Sequence, residues 1–254
     1  MKNFTLVLGS GGIKGLAHIG ILKYLEEINE TPDLIIGSSM GALVGALYCN
    51  GYSSEKIKEL LLTSRSLKLL DFSLFNESLI GGKKIDDFLK KHLDLDFKDL
   101  KIPLIVNALN IKNGEEIKLD SGKVWEAVRA SISIPGVFKP VNKDDMILVD
   151  AGFTIPTPVN FIPKSKKVIV IDVVSALLEL DNPNLLDVLR QSLYISQKNA
   201  AQRTKELFLE QSKFDEFIYV KVDLAKYFAL NFLKKDEEYI KIINKGYDYA
   251  KKHI

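Results

Sequence analysis

An uncharged apolar run, Leu34-Ile35-Ile36, meets Gly37-Ser38-Ser39-Met40-Gly41 and continues into a second apolar stretch with helical spacing. Few arrangements accommodate that succession. A strand that turns sharply into a helix through Gly-x-Ser-x-Gly is the layout of a nucleophile elbow, with the serine on a strained turn. Small residues are needed two positions either side, because a side chain there would collide with the backbone of the turn. Gly37 and Gly41 meet that need. Ser39 is therefore the candidate nucleophile, and a helix beginning just after it aims N–H groups at negative charge developing nearby. The same residues also suit a plain βα connection in which Ser38 or Ser39 merely caps the helix.

A first strand at Phe4–Leu8 leads into Gly9-Ser10-Gly11-Gly12, then a helix with Leu16, Ile19, Leu22, Leu25 and Ile28 at helical spacing. Two βα units within the first fifty residues point to a parallel sheet covered by helices. The helix after Ser39 should run from about Met40 to Gly51, with Ser53 or Ser54 capping another toward Ser64. Further helices are expected over 83–92, Val124–Ser131, 185–212 and from about Lys235. Strands are expected over 102–109 and 116–119, joined through Asn113-Gly114, and over Met146–Val149, 168–174 and 217–222. Leucines and phenylalanines crowd residues 66–82, which read either as a loop packed onto the core or as an apolar flap over a site. With 46% apolar residues and no Pro/Ser/Gly-rich linker, residues 1–254 are expected to form a single domain.

Charge narrows the range of partners. The formal net charge is +2, and arginine occurs only at 65, 129, 190 and 203, which is no nucleic-acid footprint. The lysines from Lys164 to Lys167 could touch an anionic membrane transiently, although short charge runs usually form a solvated face. Residues 34–54 carry no charge and are long enough to span a bilayer, but four glycines and a strand-like start favour buried βα core. The single cysteine, Cys49, excludes an intrachain disulfide and falls in an apolar helix pattern. The apolar stretch at the N-terminus is too short for a secretory signal, so a cytoplasmic location is expected, peripheral to a membrane at most.

The first loop bears directly on Ser39. Gly9-Ser10-Gly11-Gly12-Ile13-Lys14-Gly15 can turn several N–H groups to one side and cradle an anion at a helix start. The dinucleotide pattern fails because Lys14 stands where its last glycine belongs, and a phosphate-binding P-loop lacks its spacer and its Ser or Thr. An oxyanion hole remains. Parallel neighbouring strands would bring this loop and the Ser39 turn to the same carboxyl edge.

A serine nucleophile also needs a base. His18 lies on an amphipathic helix, His92 among lysines and acids, and His253 beside the C-terminus, none with a motif around it. Asp150 follows the apolar strand Met146–Val149 and precedes Ala151-Gly152, which places it at a strand end. A carboxylate bonded directly to the serine serves as general base if its surroundings make it basic enough. Asp before a small residue and glycine is also a common turn former.

These residues together resemble the patatin-like phospholipase family, particularly its bacterial members, from Phe4 to about Val159 and more loosely beyond. The likeness rests on Ser10-Gly11-Gly12-Ile13-Lys14-Gly15, on Gly37-Ser38-Ser39-Met40-Gly41, on Asp150-Ala151-Gly152, and on the preceding Ala130-Ser131-Ile132-Ser133-Ile134-Pro135-Gly136-Val137-Phe138. The resemblance implies a three-layer α/β/α fold with a mainly parallel central sheet and a Ser-Asp dyad. It implies hydrolysis of lipid acyl esters without metal or cofactor: Ser39 attacks, Asp150 takes the proton, and Gly11 and Gly12 hold the oxyanion. Two residues depart from the family pattern. Ser10 replaces the first glycine of the loop, and Ala151 replaces the glycine after the aspartate, where a positive φ would be tolerated poorly.

Two other readings stay open in the sequence. A Ser-His-Asp esterase would require Ser39, an acid such as Asp150 or Asp172, and His253, although that fold normally carries more strands before its nucleophile. An inactive lipid-binding or partner-binding domain could retain the same fold.

Overall fold

In the computed structural model, which describes residues 4–63, 78–173, 185–211, 214–224, 227 and 236–254, strand β1 is Phe4–Leu8 and all five of its residues are buried. Such uniform burial is expected of a strand covered on both faces. Its side chains divide between two cores: Leu6 and Leu8 join one cluster, whereas Val7 joins another. The same alternation holds in β2, Leu34–Gly37, where Ile35 and Ile36 part to opposite faces, and in β7, Ser165–Asp172. The sheet is therefore the middle of three layers.

Helices α1 (Ala17–Glu27), α2 (Met40–Cys49), α3 (Ser54–Thr63), α4 (Ser78–Leu93), α5 (Val124–Ser131) and α7 (Asp236–His253) contribute side chains to the first core. The opposite core takes Phe208 from α6, Leu185–Glu210, which stacks on Phe214 of β8, Phe214–Lys221. Residues 34–54 are accordingly buried βα core. Among the described residues, no helix is long and apolar enough to cross a membrane.

Strands β3 (Leu104–Asn110), β2, β1, β7 and β8 are parallel neighbours in that order. An antiparallel part is added at β3, which pairs with β4 (Glu115–Leu119) and β6 (Met146–Val149), and β6 pairs with β5 (Val141–Lys143). β3 makes this possible because it outruns its parallel partner: β2 ends at Gly37 opposite Val106, while β3 continues to Asn110. The hairpin from β3 to β4 turns at Asn113-Gly114, with Gly114 at φ +78°.

Several boundaries differ from the sequence expectation. Helix α4 begins at Ser78, so Gly81-Gly82 lies inside it; two glycines cost roughly 2 kcal/mol of helix propensity, which the buried stripe Ile85, Leu89 and Leu93 outweighs. The suggested loop or flap over 66–82 lies outside the described residues up to 77, and from 78 it is helix. Strand β5 was not expected, being three residues long and partly exposed. β7 and β8 each start three residues early; Lys167 sits in β7, with its ammonium 2.8 Å from Glu216 in β8, rather than on a purely solvated face. Ile28 falls just past the end of α1 and is exposed.

Candidate active site

The turn from β2 into α2 holds Ser39 at φ +54°, ψ −121°, a conformation that an ordinary L-residue avoids. The two flanking glycines make room for it. A Cβ on Gly37 would lie 2.6 Å from the Ala42 Cα, and one on Gly41 would lie 2.1 Å from the Leu8 carbonyl oxygen. Gly41 thus lets the first turn of α2 rest directly on the end of β1. The register Leu8↔Gly37 sets the glycine loop after β1 and the Ser39 turn after β2 side by side, as the parallel reading required.

Asp150 arrives from the other direction. β6 is antiparallel to β3, with Val149 opposite Leu109, so the strand descends along the overhang of β3 and delivers Asp150 toward the level where β2 ends. Asp150 lies, as expected, at the end of the strand Met146–Val149, and that strand is antiparallel to its neighbour. The Ser39 Oγ donates to Asp150 Oδ2 at 2.5 Å, and the Gly152 N–H donates to Asp150 Oδ1 at 2.7 Å, so both carboxylate oxygens are engaged. Ser39 and Asp150 are both 4% exposed. Burial pushes the Asp150 carboxyl from 3.8 up to about 6, against the opposing pull of its bonds from Ser39 and Gly152.

The two departures from the family pattern have distinct consequences. Ala151 is not among the residues with positive φ, and Asp150 itself sits at φ −59°, so alanine fits without strain. Ser10 is not a passive replacement: its Oγ donates to the Gly152 carbonyl at 3.3 Å, tying the glycine loop to the Asp150 turn. Gln197 of α6 donates to the same carbonyl at 2.6 Å. A Cβ on Gly152 would meet the Ser10 Oγ at 2.6 Å and Asp150 Oδ1 at 2.8 Å, which is why this position is glycine.

In the loop, Gly12 has φ +55° and opens a 3-10 turn, Gly12–Leu16, ahead of α1. The Ser10 N–H bonds the Pro156 carbonyl and the Lys14 N–H bonds the Gly11 carbonyl; among the described residues nothing accepts from the N–H of Gly11 or Gly12. Two such donors at one turn form a ready anion cradle. The N–H of Met40, first in α2, likewise has no acceptor there, whereas the N–H of Ser39 is taken by the Ser131 Oγ at 2.8 Å. Gly15 packs against Met40, where a Cβ would lie 2.5 Å from its Cγ. Lys14 is 1% exposed with its ammonium 4.9 Å from the centre of the Tyr194 ring, and burial lowers its pKa to about 7.

No histidine is hydrogen-bonded to Ser39 or Asp150 among the described residues. His18 is nearby in sequence terms but spends its Nε2 on the Gly9 carbonyl at 2.8 Å, and burial lowers its pKa to about 4, leaving it neutral. His92 pairs with the Tyr52 hydroxyl, and His253 ends α7 against Tyr249. Asp172 accepts from the Tyr219 hydroxyl at 2.8 Å. The histidine-triad reading therefore finds no geometry to rest on.

Sequence reasoning missed Ser131, Ser133 and Gln197. The two serines lie in the segment that carries part of the family likeness and were thus within reach. Gln197 sits 45 positions from the carbonyl it holds, and nothing local marks it.

The family model for patatin-like phospholipases matches residues 6–161. The chain is similar to the lysophospholipase NTE1 of Scheffersomyces stipitis, 30% identical over 97% of the chain and 18% of that protein. It is also similar to an uncharacterized NTE family protein of Mycobacterium bovis, 36% identical over 61% of the chain and 44% of that protein. The chain thus spans less than half the length of both curated relatives. Among solved structures, VipD from Legionella pneumophila has the same fold, with a TM-score of 0.63 at 15% identity, covering 99% of the chain and 66% of VipD.

Proposed function

The chain belongs to the patatin-like phospholipase family, and from that premise we propose that it is a serine esterase of lipid acyl chains, working through Ser39 and Asp150. The observation that carries this reading is the 2.5 Å bond from the Ser39 hydroxyl to a buried carboxylate. In the ionised state Asp150 accepts the Ser39 proton as Oγ attacks the acyl carbonyl carbon. The carbonyl π bond breaks, and its oxygen takes up the negative charge, facing the N–H groups of Gly11 and Gly12. Collapse of this intermediate expels the deacylated alcohol, which receives the proton from Asp150. Water then attacks the acyl-enzyme, with Asp150 again as base; the bond from Oγ to the acyl carbon breaks, Asp150 returns the proton to Ser39, and a fatty acid leaves. Gly37, Gly41, Lys14, Gly15 and Gly152 shape the loop and the two turns; no metal or cofactor takes part.

Preorganised donors of this kind typically contribute about 3 kcal/mol each to stabilising the oxyanion. The substrate class is taken to be lysophospholipids and related single-acyl esters, met at a lipid surface through transient contact. A panel of lysophospholipids, diacyl phospholipids and soluble p-nitrophenyl esters tests the reading. Wild type should release fatty acid from at least one lipid class and Ser39→Ala from none; equal release by the two proteins would refute it.

The raised Asp150 pKa gives the reaction a pH signature. A carboxyl pushed up to about 6 is protonated below that pH and cannot take the serine proton. Log kcat/KM should therefore climb with unit slope on the acid side and level off above about pH 6. A plateau that extends down to pH 4 would contradict the assignment of Asp150 as base.

A further inference from the structure

The segment just after α5 grips both members of the dyad by their backbones. Ser131, the last residue of α5 and 0% exposed, accepts the Ser39 N–H on its Oγ at 2.8 Å. Two residues on, the Ser133 carbonyl accepts the Asp150 N–H at 2.9 Å. Ser133 is itself braced: its Oγ accepts from Arg129 Nη1 at 2.6 Å and donates to the Arg129 carbonyl at 2.7 Å. Arg129 Nε in turn donates to Asp86 of α4 at 2.7 Å. One short stretch, 129–133, thus connects the nucleophile turn, the base turn and a neighbouring helix.

We propose that Ser131 is a positioning residue for the nucleophile: its hydroxyl holds the Ser39 backbone in the left-handed conformation that points Oγ at Asp150 Oδ2. This rests on the esterase reading above. Three observations carry it. Ser39 is one of only three non-glycine residues with positive φ among the described residues, and a strained conformation persists only where its surroundings over-determine it. Packing against Gly37 and Gly41 permits that conformation, but neither glycine offers a side-chain hydrogen bond to hold it. The Ser131 hydroxyl accepts the Ser39 N–H, a buried donor that would otherwise go unsatisfied. Because that N–H is occupied, it is also withdrawn from the oxyanion donors.

Removal of the hold lets Ser39 relax and its Oγ drift from the carboxylate, and displacements of about 1 Å cost on the order of 100-fold in rate. The test uses an isosteric pair, Ser131→Thr and Ser131→Val, together with Ser131→Ala. Threonine and valine impose the same extra bulk, so their difference reports the hydroxyl alone. The Val and Ala variants should lose kcat by about 10- to 100-fold with KM within about threefold. They should lose the rate of fluorophosphonate labelling by a similar factor, and the Thr variant should recover most of both. A readout independent of turnover is hydrogen exchange at the Ser39 amide, slow in wild type and Thr and accelerated in Val and Ala. Equal kcat in Thr and Val, or unchanged exchange at Ser39 in Ala, would overturn the proposal. Failure of Ser131→Ala to fold would also overturn it, by assigning Ser131 to the core. If wild type hydrolyses no ester, the esterase reading falls instead, while the exchange measurement still decides whether Ser131 holds Ser39.

Discussion

Ser39→Ala and Asp150→Asn should each lower ester hydrolysis by roughly 10³- to 10⁵-fold, and the double variant should be no worse than the poorer single one, because such residues act as a unit. The two should part company in stability. Asp150 is buried with a folded-state pKa raised from 3.8 to about 6, so its ionised form is disfavoured by the fold. For a carboxyl shifted upward, the cost is absent below the unfolded pKa, grows as pH rises between the two values and is complete above about 6. The shift corresponds to about 3 kcal/mol at most, which Asp150→Asn removes while its amide can still accept from Gly152 and face Ser39. Thermal melts at pH 8 should therefore show Asp150→Asn equal to or above wild type, and at pH 4 the advantage should shrink. A variant that loses activity and melts ten degrees lower at pH 8 would make Asp150 a structural residue and not a base held at a cost.

Gly41→Ala should unfold or severely weaken the protein. Its new Cβ would lie 2.1 Å from the Leu8 carbonyl oxygen and 2.7 Å from the Leu8 carbonyl carbon, so backbone must separate from backbone. Overpacking of this kind costs about 3 kcal/mol or more, or a melting temperature lower by roughly 10 °C in a chain of this size. Gly82→Ala makes the contrast: inside α4 its Cβ would find only an Arg129 nitrogen at 3.8 Å, and helix propensity predicts a gain of up to about 1 kcal/mol. The expected order of melting temperatures is Gly82→Ala at or above wild type, then Gly41→Ala far below. Equal melting of the two would mean that α2 does not rest on β1 as described.

Much of this is legible in the sequence, and the reasons are physical. Ser39 and its glycines lie within five consecutive residues, and the loop and the elbow each follow a short, mainly apolar strand, so local pattern was enough to place them on one sheet edge. Asp150 could be placed at the end of a strand from local pattern, but the direction of that strand could not be read there, because it depends on β3 outrunning β2, a matter of pairing register. Ala151 was read as a strain on the Asp150 turn, yet alanine proves innocuous at φ values any residue adopts, while the Ser10 hydroxyl gains a bond to Gly152. The grip of Ser131 on Ser39 spans 92 positions, and that of Gln197 on Gly152 spans 45; no periodicity or propensity encodes such contacts. Helix α4 was shortened in the sequence reading because two glycines look like punctuation, a local cost that the packing of Ile85 and Leu89 overrides.

The central claim is that Ser39 is a nucleophile activated by Asp150. Incubation with a fluorophosphonate, followed by digestion and mass spectrometry, tests it most directly because no substrate need be known. The account predicts one adduct per chain, on the peptide containing Ser39, forming with an acid-limb midpoint near pH 6 and slowed by several orders of magnitude in Asp150→Asn. An adduct on another serine, or one on Ser39 that forms equally fast in Asp150→Asn, would contradict it.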